Sequence, residues 1–414
     1  MLRRVVVFLH RYVGLATAGF LVVEGLTGSL LAFDAEVRTL LDPKLSATKP
    51  APDAKPLDPA TLAKRAAEAM PEAVLCYYKP RIKEDQVVLR MCWNGPPAHE
   101  GEPEYLVLDP WTGRELGRLP FEGQYVAELR DNVMPFVFML HTNLALGSWG
   151  GWLLGIVALA WTIDCFVGFY LTLPVAREKF WRRWRPSWLV KWRGGFFRVN
   201  FDLHRASGLW LWPMLFVFAW SSVELDSVYD VYGRVTGVLF DSNPLDVVTR
   251  LYPQNPDRDP PKLHPRAAQA RGQEIAEQIA AKEGFHILRT ISMQYVGYAG
   301  RYNYSVLTDR PFPQDQRLTV FFDSNSGEFA GLFQTRAPLL GDTISNWLLA
   351  LHQIRDPVDY LAYRLLVFVT GIVIALLSAT GVYIWWKKRK ARLLRPHRRL
   401  ARERAEAARA DGID

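Results

Sequence analysis

Four histidines in this chain have residue types and spacings that suit redox chemistry. His10 stands in "VVFLHRYVGLATAGF" (6–20) and His204 in "FDLHRASGLWLWPML" (201–215), each within Leu-His-Arg and each followed by glycine four residues later. His141 in "MPFVFMLHTN" and His352 in "NWLLALHQ" each follow a leucine, ahead of another apolar run. Neutral imidazoles facing one another across a helix bundle suit the two axial positions of a b-type haem, a flat apolar group that helices can hold between them. On this reading the chain carries two b-type haems, one between His10 and His204 and one between His141 and His352. Gly14 and Gly208 would admit a porphyrin or a neighbouring helix, and Arg11 and Arg205 are placed to meet haem propionates. The bland alternative is four interfacial histidines that snorkel to the headgroups. Zinc is a lesser alternative, because no Cys, Asp or Glu lies nearby at helical ligand spacing. His99, His264, His286 and His397 have no symmetry mates and are assigned no site. Absence of Cys-x-x-Cys-His excludes covalent c-type haem attachment by that signal.

The elements that must position these residues are membrane spans. Half of the 414 residues are hydrophobic, 13% are aromatic and 22% are charged. The apolar residues concentrate in runs at roughly 8–33, 149–173, 204–224 and 361–386, each long enough for the ~20 residues that cross a bilayer. The first run is read as a signal anchor, since its apolar stretch exceeds a signal h-region and contains His10, Arg11 and Glu24. Glu24 and Asp164 are acids within spans, costly enough there to suggest proton transfer or a buried partner. Trp149, Trp152, Trp385 and Trp386 fit interfacial belts.

Charge sets the orientation. The loop 174–202 holds eight Lys/Arg against two acids, and the tail from Lys387 holds eleven against four. Segments 34–135 and 224–342 are acidic, with 13 basic to 17 acidic and 12 basic to 15 acidic residues. The positive-inside rule then puts both termini and the middle loop in the cytoplasm and the two long segments outside, in the periplasm if this is a Gram-negative inner membrane. The basic tail reads as topology and lipid headgroup contact, and no nucleic-acid partner is expected.

The chain also repeats itself. Beyond the histidines, "YLVLDPWTGRELG" (105–117) matches "LTVFFDSNSGEFAG" (318–331), with Asp109 and Asp323, like Gly113 and Gly327, 214 residues apart. The order helix, outer segment, helix therefore occurs twice. Each outer segment reads as a small α+β module: a helix ("DPATLAKRAAEAM" or "HPRAAQARGQEIAEQIAAKEG"), then alternating strands and Asp-x-x-Thr/Ser-Gly turns. Pro-rich stretches at 42–59 and 252–265 read as linkers. Cys76 and Cys92 flank a hairpin whose turn falls near Glu84, which makes them cross-strand neighbours. They are either disulfide-bonded or two unpaired strand cysteines, and Cys165 reads as a small packing residue.

The pattern "LHRYVGL…LTGSLLAF", the paired Leu-His segments and the two Asp-x-x-Thr/Ser-Gly modules resemble the PepSY-associated transmembrane proteins, also called iron-regulated membrane proteins. The resemblance covers essentially all of residues 1–390. That family includes inner-membrane di-haem ferrisiderophore reductases. The resemblance implies a membrane α-helical fold, with a four-helix transmembrane bundle formed by internal duplication and two α+β PepSY-like extracytoplasmic domains. It implies that His10 with His204 holds the cytoplasmic-side haem and His141 with His352 the periplasmic-side haem. Its implied activity is reduction of a ferric siderophore in the periplasm, releasing iron as the more labile Fe(II) that hard oxygen donors hold less well.

The expected order is span 1 (1–33), a first PepSY-like domain (34–135), an interfacial segment and span 2 (136–173), and a basic loop (174–202). Span 3 (203–225), a second PepSY-like domain (226–342), an interfacial segment with span 4 (343–386) and a basic tail (387–414) complete it. No nicotinamide or flavin signature appears, so the electron donor is external, a quinol or a cytoplasmic reductase docking on the basic loop. Two competing readings are a haem-free PepSY membrane module with a regulatory or peptidase-inhibiting role, and a transporter. The second has little support from four spans expected to be unbroken.

Overall fold

In the computed structural model the described residues are 2–41, 43–48, 50–51, 53–71, 73–81, 86–93, 105–119, 133–226, 229–240, 261–296, 299–311, 316–333, 339–355 and 357–410. The helices in chain order are α1 (Leu2–Leu31), α2 (Asp34–Leu41), α3 (Pro59–Ala69), α4 (Val133–Asn143), α5 (Ser148–Thr172) and α6 (Phe180–Trp184). They continue with α7 (Phe196–Trp210), α8 (Trp212–Leu225), α9 (Tyr229–Leu239), α10 (Pro265–Glu283), α11 (Leu340–Gln353) and α12 (Leu361–Ala410). The strands are β1 (Ala73–Arg81), β2 (Gln86–Trp93), β3 (Tyr105–Leu108), β4 (Glu115–Leu119), β5 (Ile287–Val296), β6 (Arg301–Thr308), β7 (Arg317–Asp323) and β8 (Phe329–Phe333). These elements divide into two compact units.

The first unit comprises Met1–Ala32, Leu140–Val228 and Tyr360–Asp414 and is helical. Three of its helices, Leu2–Leu31, Ser148–Thr172 and the Leu361–Leu393 part of α12, are long and apolar enough to cross a membrane. Helices α7 and α8, bent by 69° at their junction, make a fourth crossing only if the bent pair is one span. This corrects the expectation of a straight, unbroken third span. Pro213 stands at the start of α8, where its missing N–H and ring clash end the hydrogen-bond ladder of α7, and Leu211 takes φ −101° and ψ 8°. The break also removes continuous spans as an argument against a transporter.

Helix α1 packs on α5 and α12, while α8 packs on α5 and α7 on α12. The α1–α12 seam is drawn tight by glycine. A Cβ on Gly25 would run into the Gly371 carbonyl, and one on Gly371 into the Gly25 carbonyl and Ser29 Oγ. Ser29 Oγ donates across the seam to the Phe368 carbonyl at 2.8 Å. Small residues that let helix backbones meet are the usual adhesive between helices in lipid, where burial of apolar surface gives no advantage. At the other end of α1, Arg3 donates to the Leu171 and Leu173 carbonyls at 2.9 and 3.1 Å, capping the last turn of α5.

The second unit comprises Phe33–Met139 and Tyr229–Asp359. Sequence reading places two separate modules here, and the structure joins their strands into one antiparallel eight-stranded sheet, ordered β4-β3-β2-β1-β5-β6-β7-β8. The joint pairs Tyr77 with Gln294 and Tyr78 with Met293. In the first half Leu62, Ala66 and Met70, spaced by four, face Val87, Leu89 and Met91 of β2 and Leu106 and Leu108 of β3. In the second half Ala268, Ala276 and Ala280 do the same on α10 against Tyr302, Tyr304, Val306, Leu318, Val320 and Phe322. Gly272 completes that stripe, since a Cβ there would press into Tyr304.

The hairpin β1–β2 forms as expected, with a register detail that bears on its cysteines. Cys92 pairs with Val74, and Cys76 falls at an irregularity between Leu75 and Tyr77. The register of the hairpin, rather than the irregularity, thus keeps Cys76 from standing directly opposite Cys92. The side chains of both cysteines lie outside the described residues, and so does the disulfide expectation. Cys165 is free and buried in α5. The linker stretch 252–260 and His99 also lie outside the described residues.

Candidate functional site

His10 and His204 come together. Their ring centroids are 6.3 Å apart and the ring planes are inclined by 56°. Each ring is tied down through Nδ1. His10 Nδ1 is 3.0 Å from both carboxylate oxygens of Asp164 on α5. His204 Nδ1 is 3.1 Å from the Leu377 carbonyl and 3.0 Å from Thr380 Oγ1 on α12. The carboxylate and carbonyl oxygens are acceptors for an Nδ1–H donor, which leaves Nε2 as the ring nitrogen of each histidine that is not engaged by these contacts. Imidazole ligands are held in this way at metal centres, where the second nitrogen is fixed by a carboxylate, carbonyl or water.

Both rings lie against a glycine of the facing helix. A Cβ built on Gly168 would stand 3.4 Å from His10 Cε1, and one on Gly381 would stand 3.3 Å from His204 Cε1. The two seats are 213 residues apart in sequence, close to the spacing of the repeated Asp-x-x-Thr/Ser-Gly turns. No residue-type signal marks these glycines beforehand, because glycine is frequent in membrane helices. Gly14 and Gly208 behave otherwise: Gly14 faces open space, and Gly208 meets only Leu377 Cδ2 at 3.9 Å.

A second histidine site lies within the same unit. His141 Nδ1 is 2.9 Å from Thr27 Oγ1 and 3.1 Å from Glu24 Oε2. Thr27 Oγ1 donates to the Val23 carbonyl at 2.7 Å and is left to accept from His141. The ring again lies on a glycine, Gly28, whose Cβ would stand 3.1 Å from His141 Cε1. Both intramembrane acids thus prove to be histidine partners, Asp164 for His10 and Glu24 for His141. Their cost in an apolar run is legible in sequence, whereas their partners, 154 and 117 residues away, are not.

His352 stands near the end of α11, in the second unit. Helices α4 and α11, which carry His141 and His352, are each followed by a non-glycine residue in the left-handed region, Leu144 at φ 55° and Ile354 at φ 51°. Of these the β-branched Ile354 is the more strained.

The arginines beside the Leu-His motifs differ in their engagement. Arg205 Nη2 donates to Asp202 Oδ1 at 2.9 Å and to the Pro186 carbonyl, while its buried Nε has no acceptor among the described residues. Asp202, fully buried, also receives Arg198 Nε at 2.8 Å, so one carboxylate gathers two guanidinium groups at the start of the third crossing. Arg11 makes no ion pair or hydrogen bond among the described residues. Lys388 Nζ and Arg205 Cζ both lie over the Phe201 ring, at 5.3 and 5.6 Å. Positive charge therefore borders the His10–His204 pair.

The ring separation fits one iron between two imidazoles. Metal–nitrogen bonds of about 2.0 Å, added to the offset of roughly 1.1 Å from each nitrogen to its ring centroid, give centroids about 6 Å apart. Among the described residues no group of three or more His, Cys, Asp and Glu side chains converges as a metal site.

The features together define a mainly helical membrane protein with three to four spans and a substantial β-sheet. The sequence matches the PepSY-associated TM region over residues 7–388, and the chain belongs to that family. No curated protein matches it.

Proposed function

We propose that this protein is an inner-membrane b-type di-haem oxidoreductase that passes electrons across the membrane to a periplasmic ferric siderophore. The observation that carries the reading is the His10–His204 pair, with rings 6.3 Å apart and each Nδ1 tied to a partner. Haem, when bound, supplies a one-electron carrier. The chain's own part is to hold and shield it. His10 and His204 would hold the haem iron, with their rings seated on Gly168 and Gly381, and Arg205, whose Nε has no acceptor among the described residues, with Arg11 would meet its propionates. A second haem at His141 rests on the duplicated Leu-His segments and on the seating of His141 by Thr27, Glu24 and Gly28. A duplicated four-helix bundle would place one haem in each leaflet, and the charge bias of the loops would put both termini and the basic loop 174–202 in the cytoplasm. The sheet-bearing modules would then lie in the periplasm, on the acceptor side. An external donor, a quinol or a cytoplasmic reductase, would supply the electrons.

The purified protein's visible spectrum, with and without dithionite, tests this. A Soret band and a sharp α-band in the b-haem region are expected, with two haems per chain. His10→Ala and His141→Ala should each halve the haem content, and the double variant should hold none. A colourless wild type would instead favour the haem-free PepSY module. In the loaded protein, ferric siderophore should reoxidise the reduced haem and release Fe(II) to a ferrous chelator; reoxidation by oxygen alone would exclude iron as the acceptor.

A further inference from the structure

The two rings of the His10–His204 pair have matching glycine seats but unlike Nδ1 partners. Gly168 and Gly381 are 213 residues apart, and so are Asp164 and Leu377, one turn before them. In one copy the acceptor is a carboxylate, with both oxygens 3.0 Å from His10. In the other it is a backbone carbonyl and a threonine hydroxyl, at 3.1 and 3.0 Å from His204. Asp164 has 13% of its side chain exposed, and no other hydrogen bond or ion pair engages it among the described residues. Its acceptor capacity is therefore committed to a single imidazole.

We infer that Asp164 is a positioning residue that makes His10 the more electron-donating of the two ligands and so sets the reduction potential of the haem they share. The inference rests on the haem reading above. A carboxylate accepting the Nδ1 proton gives the ring imidazolate character, and its charge lies behind the ligand in a medium of low dielectric. Both effects favour Fe(III) over Fe(II), and second-shell hydrogen bonding of this kind is a principal lever on haem potential. His204, seated by a neutral carbonyl, has no such charge behind it. The arrangement lowers the potential of the cytoplasmic-side haem relative to the same pair without the carboxylate, which is the direction that drives an electron onward.

Redox titration of the full-length protein in detergent, followed at the α-band, tests the inference with Asp164→Asn. The variant is expected to retain two haems and to show one component with at least a tenfold higher reduced-to-oxidised ratio at fixed ambient potential, a rise of about 59 mV for a one-electron couple. The other component should not move. An unchanged titration with two haems bound overturns the role of Asp164 and leaves the haem reading intact. Should Asp164→Asn lose a haem, Asp164→Glu decides: the retained charge must restore both the haem and the wild-type potential, and failure of either overturns the inference. A wild type without haem removes the reading beneath it instead.

Discussion

A glycine next to an imidazole is an unassuming residue, yet it fixes how near the ring can lie to the facing helix. Gly168→Ala places its methyl 3.4 Å from His10 Cε1, an ordinary contact, and should leave haem content unchanged. Gly168→Leu adds branches that have no room beside the ring; on the proposed haem reading it should lose the haem assigned to His10 and His204 and keep the other, which haem per chain from the pyridine haemochrome measures. Gly19→Leu is the control, since nothing lies within 4 Å of a Cβ there. Gly371→Ala differs again, because its methyl meets backbone. It should lower stability by about 1–3 kcal/mol, read as a depressed thermal midpoint in detergent. At this scale the histidines were legible because a polar residue stands out in an apolar run. Their seats were not, since glycine has many uses in a membrane helix and spacing alone does not say which helix faces which. Arg205 was legible as a cation beside a candidate histidine, but its engagement by Asp202 depends on a one-turn helical contact that only matters once Asp202 is buried.

At the scale of elements, the repeated turn is the feature that sequence showed best. Asp109 Oδ1 accepts from the Trp111 and Thr112 amides at 2.8 and 3.1 Å. Asp323 Oδ1 accepts from the Asn325 and Ser326 amides at 2.9 and 2.8 Å and from Ser326 Oγ at 3.0 Å. Gly113 and Gly327 close the two turns at φ 71° and 74°. A local motif of five residues contains its own contacts, which is why it can be read directly. Burial opposes the Asp323 charge, but the two amides and the hydroxyl outweigh it and hold the carboxyl below the usual carboxylate range. A depressed folded-state value means that this stability is present above the unfolded value and is lost as pH falls through the folded one. Asp323→Ala should therefore cost about 1–2 kcal/mol at neutral pH. The gap between variant and wild type should narrow as pH falls below about 4, as measured by denaturant unfolding followed by tryptophan fluorescence at several pH values. The bend between α7 and α8 was the least legible element. Hydropathy counts apolar residues and is blind to the missing N–H of Pro213, and proline is tolerated in membrane helices when neighbours satisfy the freed groups.

For the whole molecule, the repeat was visible but its consequence was not. Two modules in one chain can fold side by side as independent bodies, or share a sheet, and local patterning of strands is the same in both cases. The structure pairs β1 with β5, so the first strand of each module serves as the other's neighbour. Neither strand is then an exposed edge, a liability that sheet proteins otherwise have to manage with charges, bulges or covering elements. Sharing should also make the two modules lose structure together. Leu62 is fully buried between α3 and the first half of the sheet, far in sequence from the second. Leu62→Ala removes about 2–5 kcal/mol of packing from the first module. If the sheet is one cooperative body, amides of β5 and β6 should exchange faster along with those of β2 and β3, by hydrogen exchange with peptide-level mass spectrometry. Acceleration confined to residues 58–119 would mean two independently stable modules, each able to open without the other.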